Sequence, residues 1–396
     1  MFIIWGCDKE NPNDSSFTNP ALVWKANKGI ERYDQISQDP VIYKDRLVIG
    51  YQTERDEGYV IYNKNNGNRV KEIANSPSFD VFSQLHQGIY YSTFGPRFRT
   101  IDLNSFEQKW YTIKSDGSPY ITMVFDDEKI IVPSWSRVGE TELASNMFKF
   151  VSAKLNNLST WSDFIVGELE KKSDAFGSAV KSFIKNKNDK GHDIYYFISS
   201  HGFNDPNKRG DFQVHSYNKT LEKYEWHSEI MEEDPRAGLT GKPPHIFKST
   251  IITNSGASIN CRDINSGTLI WRTYIESGIT GNTINLFNGK LVSIDQFGML
   301  FQVDASSGQI LKKLDIGASG TKNWAFHNGI IYFTTAGSKL YAIDAEPLTV
   351  KWELMSPNRD RCSYCTFGFE SPVVDPETNR LYISDAWEVF CYELPK

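Results

Sequence analysis

Charge of one sign is scarce in this chain. Lys and Arg total 43 against 49 Asp and Glu, a formal net charge of −6 over 396 residues. The basic residues are scattered among acids, so no concentrated basic footprint for a nucleic-acid backbone is present. Long apolar runs are missing too, and none approaches the roughly 20 residues of a membrane-spanning helix. The motifs that announce common chemistries are absent: no H-E-x-x-H, no G-x-S-x-G, no P-loop and no G-x-G-x-x-G. Cysteine is rare, with five in all.

Aromatic residues are plentiful, 14% of the chain with 10 Trp, 19 Tyr and 25 Phe. That suits sheets packed face to face. One phrase recurs in a fixed frame, an acidic residue eight positions before a tryptophan: Asp263 and Trp271, Asp344 and Trp352, Asp102 and Trp110. Two copies keep the frame with Lys in place of Trp, around Asp304 with Lys312 and around Asn63 with Lys71. Two looser copies end at Trp161 and Trp226. The anchors lie about 40 residues apart in the regular parts, and a period in that range signals a propeller or a solenoid.

Upstream of each anchor runs a hairpin-like stretch such as "NLFNGKLVSID" or "AFHNGIIYFTT". β-branched and aromatic runs broken by Asn-Gly or charged turns predict antiparallel pairs. Each unit then reads as four short strands, A to D, and B strands near Leu47, Ile89, Ile130, Ile194, Ile251, Leu291, Ile331 and Leu381 give eight units. The last unit stops at Glu393, in the anchor position, without a D strand, while Trp24 aligns on Trp352 with no A, B or C strand before it. The reading is an all-β, eight-bladed β-propeller of four-stranded antiparallel blades. Residues 20–26 complete blade 8, 20–396 form one domain, and 1–19 are a signal remnant or tether. Such closure removes a free sheet edge.

The frame resembles the PQQ-type (quinoprotein-like) eight-bladed propellers, whose repeat is A-x-D-x-x-T-G-x-x-x-W, over roughly residues 20–396. The likeness is strong in blades 5 to 7 and degraded in blades 3 and 4. It implies a fold shared by quinoprotein dehydrogenases and by non-enzymatic lipoproteins such as the barrel-assembly propeller of the outer membrane. The family enzymes use a carboxylate-rich calcium site, a catalytic Asp and usually a disulfide of adjacent cysteines. No Cys-Cys occurs here, and no calcium triad can be matched, so no cofactor, metal or catalytic residue is assigned. The anchors Asp102, Asp263, Asp304 and Asp344 read as turn-forming acceptors of backbone N–H groups. Trp24, Trp110, Trp271 and Trp352 read as packing between blades.

"MFIIWGCDKE" is an apolar stretch ending Trp-Gly-Cys before a polar tether. It resembles the end of a bacterial lipoprotein signal, with lipidation at Cys7 and a cell-envelope location. Cys261 and Cys391 both occupy the Ala position of the repeat three blades apart, too distant to bond. Cys362 and Cys365 form a Cys-x-x-Cys pair, which is a structural disulfide, a redox couple or half a zinc site.

The departures from the frame are 136–146, 163–177, 200–211, 228–245 and 356–368, all B–C or D–A connections on one face of a propeller. Four of the five belong to blades 3 and 4. On this face Trp135, Arg137, His201, Phe203, Arg209, Arg236, Arg359 and Arg361 are the candidate binding residues, suited to a protein or a glycan. His201, His227 and His245 lie on or near these loops, but their spacing gives no metal-ligand pattern. The functional expectation is a monomeric, non-catalytic envelope lipoprotein that docks a protein partner on this face, held to the membrane by a lipid alone. A glycan-binding or glycan-processing surface lipoprotein is the alternative, and a PQQ or metal enzyme the third possibility.

Overall fold

A computed structural model describes residues 19–28, 40–52, 57–74, 82–94, 97–113, 123–126, 128–134, 147–168, 175–203, 211–232, 244–255, 257–275, 284–318, 324–335, 339–361, 365–367 and 371–395. The strands assemble into eight antiparallel sheets, each of at least four strands, arranged as the eight-bladed propeller that the repeat predicts. Blade 5 shows the plan: A is His245–Phe247, B is Thr250–Ser255, C is Ser258–Asp263 and D is Leu269–Tyr274. The cores lie between blades, where Ile252 and Cys261 of blade 5 meet Leu291 and Val303 of blade 6.

Blade 8 takes its A, B and C strands, Val373–Asp375, Arg380–Ser384 and Glu388–Glu393, from the C-terminal part of the chain, and its D strand, Ala21–Asn27, from the N-terminal part. Trp24 stands opposite Cys391, as Trp352 stands opposite Ala342 and Trp271 opposite Cys261. The ring is therefore closed by the N-terminal strand, and one otherwise open sheet edge is paired.

The anchor position opposes the first B-strand residue in every blade but the fourth, where Asn218 opposes the second, Ile194; examples are Thr250 with Asp263, Lys290 with Asp304 and Ile330 with Asp344. Its carboxylate organises the C–D turn. Asp263 accepts from the backbone N–H of Asn265 at 3.0 Å and of Ser266 at 2.8 Å, and Asp304 repeats this with Ser306 and Ser307. These bonds, first that from the Ser266 or Ser307 backbone N–H, hold both carboxyls below the usual carboxylate range. The fourth residue after the anchor turns left-handed, with φ +74° at Gly67, +73° at Gly267 and +74° at Gly308.

Three of these glycines are required twice over. A Cβ on Gly67 would stand 2.6 Å from Trp24, one on Gly267 2.5 Å from Trp226, and one on Gly308 2.5 Å from Trp271. Each tryptophan belongs to the preceding blade, so its ring lies flat on the next blade's turn. Trp24 and Trp226 also donate their indole N–H at 3.0 Å to the carbonyls of Lys64 and Ile264, the residue after the next anchor. Where Lys312 replaces the tryptophan, its ammonium reaches the Pro347 carbonyl of blade 7 at 2.5 Å. That turn holds Leu348 at φ +49° in place of glycine. Tryptophan and glycine thus form one unit spread over two blades.

Two tryptophans leave this pattern. In blade 3 Trp161 stands seven residues after the anchor position Lys154, not eight, so it opposes Ala153 and packs backward with Tyr91 and Met123 at the blade 2–3 interface. In blade 2 the bulge beside the tryptophan is missing, and Trp110 opposes Arg99 instead of Thr100. Its ring lies 5.0 Å from the Arg99 guanidinium and is 38% exposed. A one-residue register change carries a side chain to the other face of a sheet, so Trp110 is not packed on the following blade as the frame alone implies.

Blades 3 and 4, where the repeat signature is degraded, are the largest sheets. D of blade 3 is Asn157–Glu168, while A and B of blade 4 are Ala175–Lys187 and Asp193–Phe203, against three-residue A strands in most blades. Much of 163–177 and 200–203, read from sequence as loop, is extended strand. Met231–Glu232 adds a fifth strand to blade 4 beside Asp211 and Phe212.

Candidate interaction face

The C–D and A–B turns lie at one end of every blade, and the B–C and D–A connections at the other. We call these the turn face and the loop face. Of the eight candidate binding residues, Trp135, Arg137, Arg209 and Arg236 lie outside the described residues, as do Cys7 and Cys362. His201 and Phe203 sit at the loop-face end of strand B of blade 4, opposite Ser178 and Ala175. Arg359 and Arg361 lie on the segment between blades 7 and 8. Blades 4 and 8 are across the ring from each other. These four described candidates share a face, but the structure does not gather His201 and Phe203 with Arg359 and Arg361 into one patch.

The segment carrying Arg359 and Arg361 is pinned from below by a buried polar cluster. The Ser356 hydroxyl donates to Asp385 at 2.5 Å, and the Asn358 amide donates to Asp385 at 3.0 Å and to Glu388 at 2.8 Å. Asp385 also accepts the backbone N–H groups of Trp387 and Glu388 at 2.7 and 2.8 Å. The N-terminal strand joins in: Lys25 reaches Glu388 at 3.1 Å, and the buried Lys28 ammonium donates to the Asp385 carbonyl at 2.7 Å. Burial pushes the Glu388 carboxyl up, but the Asn358 amide and the Lys25 ammonium outweigh it and hold the group below the usual range, with Arg361 adding to the effect. Buried charges are tolerable when each finds partners in this way. The turn itself is closed by Arg359 N–H to Ser356 C=O at 3.2 Å and Arg361 N–H to Asn358 C=O at 2.8 Å. Both arginine side chains project into solvent. Near them, Cys365 is buried and disulfide-bonded, and Cys261 and Cys391 are buried free thiols.

A second polar line crosses blade 4. Ser199 on strand B meets His215 Nε2 on strand C at 2.5 Å, and His215 Nδ1 meets His227 Nδ1 on strand D at 2.7 Å. Burial, and then the neighbouring His227, keeps His215 well below the ordinary imidazole value; burial also lowers His227. A contact between two Nδ1 atoms needs one N–H and one lone pair, so the two rings cannot both be protonated here. His215 was not singled out in the sequence because its partners lie 16 and 12 residues away on other strands. His227 pairs with it and not with His245, whose Nε2 lies 3.0 Å from the Ile284 carbonyl. The three loop histidines considered together from sequence therefore do not converge through these two.

The quinoprotein cofactor and its calcium call for adjacent cysteines and clustered carboxylates. Among the described residues no three His, Cys, Asp or Glu side chains converge on one point, and the sequence has no Cys-Cys. These residues do not fit the group, and no reaction step is derived through it.

Comparison with known proteins agrees with the repeat. A family model described as outer membrane protein assembly factor BamB matches residues 255–375, which span the C and D strands of blade 5, blades 6 and 7, and the start of blade 8. No curated protein matches the chain. Among solved structures, the computationally designed Ika8 protein is 14% identical with a TM-score of 0.64, covering 95% of this chain and 100% of its own. A europium-containing methanol dehydrogenase is 8% identical with a TM-score of 0.65, covering 94% and 93%. BamB from Moraxella catarrhalis is 12% identical with a TM-score of 0.49, covering 74% and 76%. At these identities the structural likenesses speak to fold alone, and they reach from a designed protein to a dehydrogenase.

Proposed function

Because this chain is an eight-bladed β-propeller of PQQ-type repeats, we propose that it is a non-catalytic scaffold of the bacterial cell envelope, lipid-anchored through Cys7, that docks a protein partner on its loop face. The observation that carries this reading is the match of residues 255–375 to the model of an outer membrane assembly factor. It is supported by the use of the repeat residues, which serve ring construction: the anchor carboxylates hold turns, and Trp24, Trp226 and Trp271 cover the next blade's glycine. A fold hosts many functions, so the site has to choose among them. On the loop face, Arg359 and Arg361 are displayed on a turn whose backbone is fixed by Ser356, Asn358 and Asp385. Two arginines on a pre-ordered turn suit a partner presenting acidic side chains, because little ordering cost remains at binding. Cys362 is the proposed partner of Cys365, a bond that would hold the same segment.

Thermal unfolding of the purified protein with PQQ plus calcium, with divalent metals and with oligosaccharides tests this reading. A ligand at a hundred times its Kd stabilises by about 2.7 kcal/mol. The proposal expects no such shift from any of them. A clear shift with PQQ or a metal would make the loop face an active site, and one with a sugar would make the protein a glycan binder.

A further inference from the structure

The direction of the closing strand bears on how the propeller stands on a membrane. Ala21 pairs with Glu393, the anchor position at the turn-face end of strand C, and Asn27 pairs with Glu388 at the loop-face end. The chain before Ala21 therefore leaves the propeller from the turn face, at the rim. Trp24 and Lys28 hold this strand in place, through Lys64 of blade 1 and Asp385 of blade 8, so the exit point is fixed by the same contacts that close the ring.

We infer that the anchor and the loop face lie at opposite ends of the molecule, so that the lipid holds the turn face toward the membrane and the loop face meets its partner in the aqueous phase. This rests on the proposed lipid at Cys7. Cys7 lies 14 residue steps before Ala21. The seven-residue closing strand adds about 20 Å of height at 3.3 Å per residue. The loop face then stands about 20 Å farther from the exit point of the chain than the turn face does. Its partner is accordingly a soluble domain or a periplasmic or extracellular segment that reaches this height, and not the lipid surface.

Two positions in one blade measure the polarity. Ser306 is exposed on the C–D turn of blade 6, at the turn face, and Phe297 is 68% exposed on its B–C turn, at the loop face. Full-length protein with Ser306→Cys or Phe297→Cys is labelled with a fluorophore under native conditions, where Cys261 and Cys391 are buried. It is then placed in phosphatidylglycerol and phosphatidylethanolamine vesicles carrying a nitroxide on the headgroup. Quenching at position 306 several-fold stronger than at 297 is the expected result; equal or reversed quenching overturns the inference. The mass of the N-terminal peptide reports separately whether Cys7 carries a lipid. If it does not, the envelope-anchor reading fails on its own. The polarity is then read with an N-terminal hexahistidine on nickel-chelating vesicles, with the same ordering required.

Discussion

Replacing Gly267 by alanine tests the two-blade unit of tryptophan and glycine. The position has φ +73°, which costs an L-residue about 1–2 kcal/mol. The new Cβ would also stand 2.5 Å from Cε3 of Trp226, whose ring is buried and fixed by its bond to Ile264. Forcing extra volume into such a contact costs about 1–3 kcal/mol. The sum is about 3.5 kcal/mol, from the midpoints of those ranges. Gly329→Ala is the control, because its φ is +78° with nothing within 4 Å of the added Cβ, and it should cost about 1.5 kcal/mol from backbone strain alone. Guanidinium unfolding followed by tryptophan fluorescence reads the difference of about 2 kcal/mol. A second step pairs Gly308→Ala with Trp271→Lys, which imitates the Lys312 and Leu348 arrangement of blades 6 and 7; the double variant should recover part of the single variant's loss. Equal costs at positions 267 and 329 would refute the reasoning, and so would full additivity at 308 and 271.

Trp24→Ala should cost about 3 kcal/mol, the low end of the range for core aromatics because the ring is only partly buried, and should sensitise the N-terminal strand to protease before the rest of the ring. Arg262, fully buried and paired to both oxygens of the half-exposed Glu229 at 2.7 Å, gives a contrast: Glu229→Ala, which strands the buried guanidinium, should cost distinctly more than Arg262→Met, which leaves only a solvated carboxylate, in urea melts. The imidazole pair predicts a pH dependence. Both rings have folded values below the ordinary one, so the unfolded chain binds more protons below about pH 6.5. Their contribution to stability is present above that pH and is lost as the pH falls through it, lowering the urea midpoint between pH 7.5 and 5.0. His227→Asn should flatten that slope, and an unchanged slope would count against the neutral pair. The lowered carboxylates Glu229, Asp375 and Glu388 add a separate loss of stability in more acid solution.

Architecture was legible because one geometric problem, a C–D turn with a left-handed fourth residue, is solved with the same few residues around the ring. Even the missing D strand of blade 8 could be matched to Trp24. The facing of Trp110 was not legible, since it depends on one bulge, which spacing between Asp and Trp does not display; that of Trp161 was not, since blade 3 has Lys154 and no acidic residue at the anchor position from which to count. Blades 3 and 4 looked irregular because their longer strands move the next anchor out of period, although the extra residues at 163–168 and 175–187 remain paired. The His215–His227 contact and the cluster beneath Arg359 and Arg361 draw on separate strands, the latter on segments 25–28, 356–358 and 385–388. Such sites have no local signature. His201 and Phe203 stand at the same end of the blades as Arg359 and Arg361, but ring position, which loop composition does not display, separates the two pairs.

Site-specific photo-cross-linking in intact cells tests the central claim most directly. A benzophenone side chain is placed at Arg359, at Arg361 and, as the turn-face comparison, at Ser306. The account predicts one discrete cross-linked protein from positions 359 and 361, absent at 306 and reduced when the other arginine is changed to glutamate. Adducts of equal yield at 306, or adducts only to lipid, would contradict it.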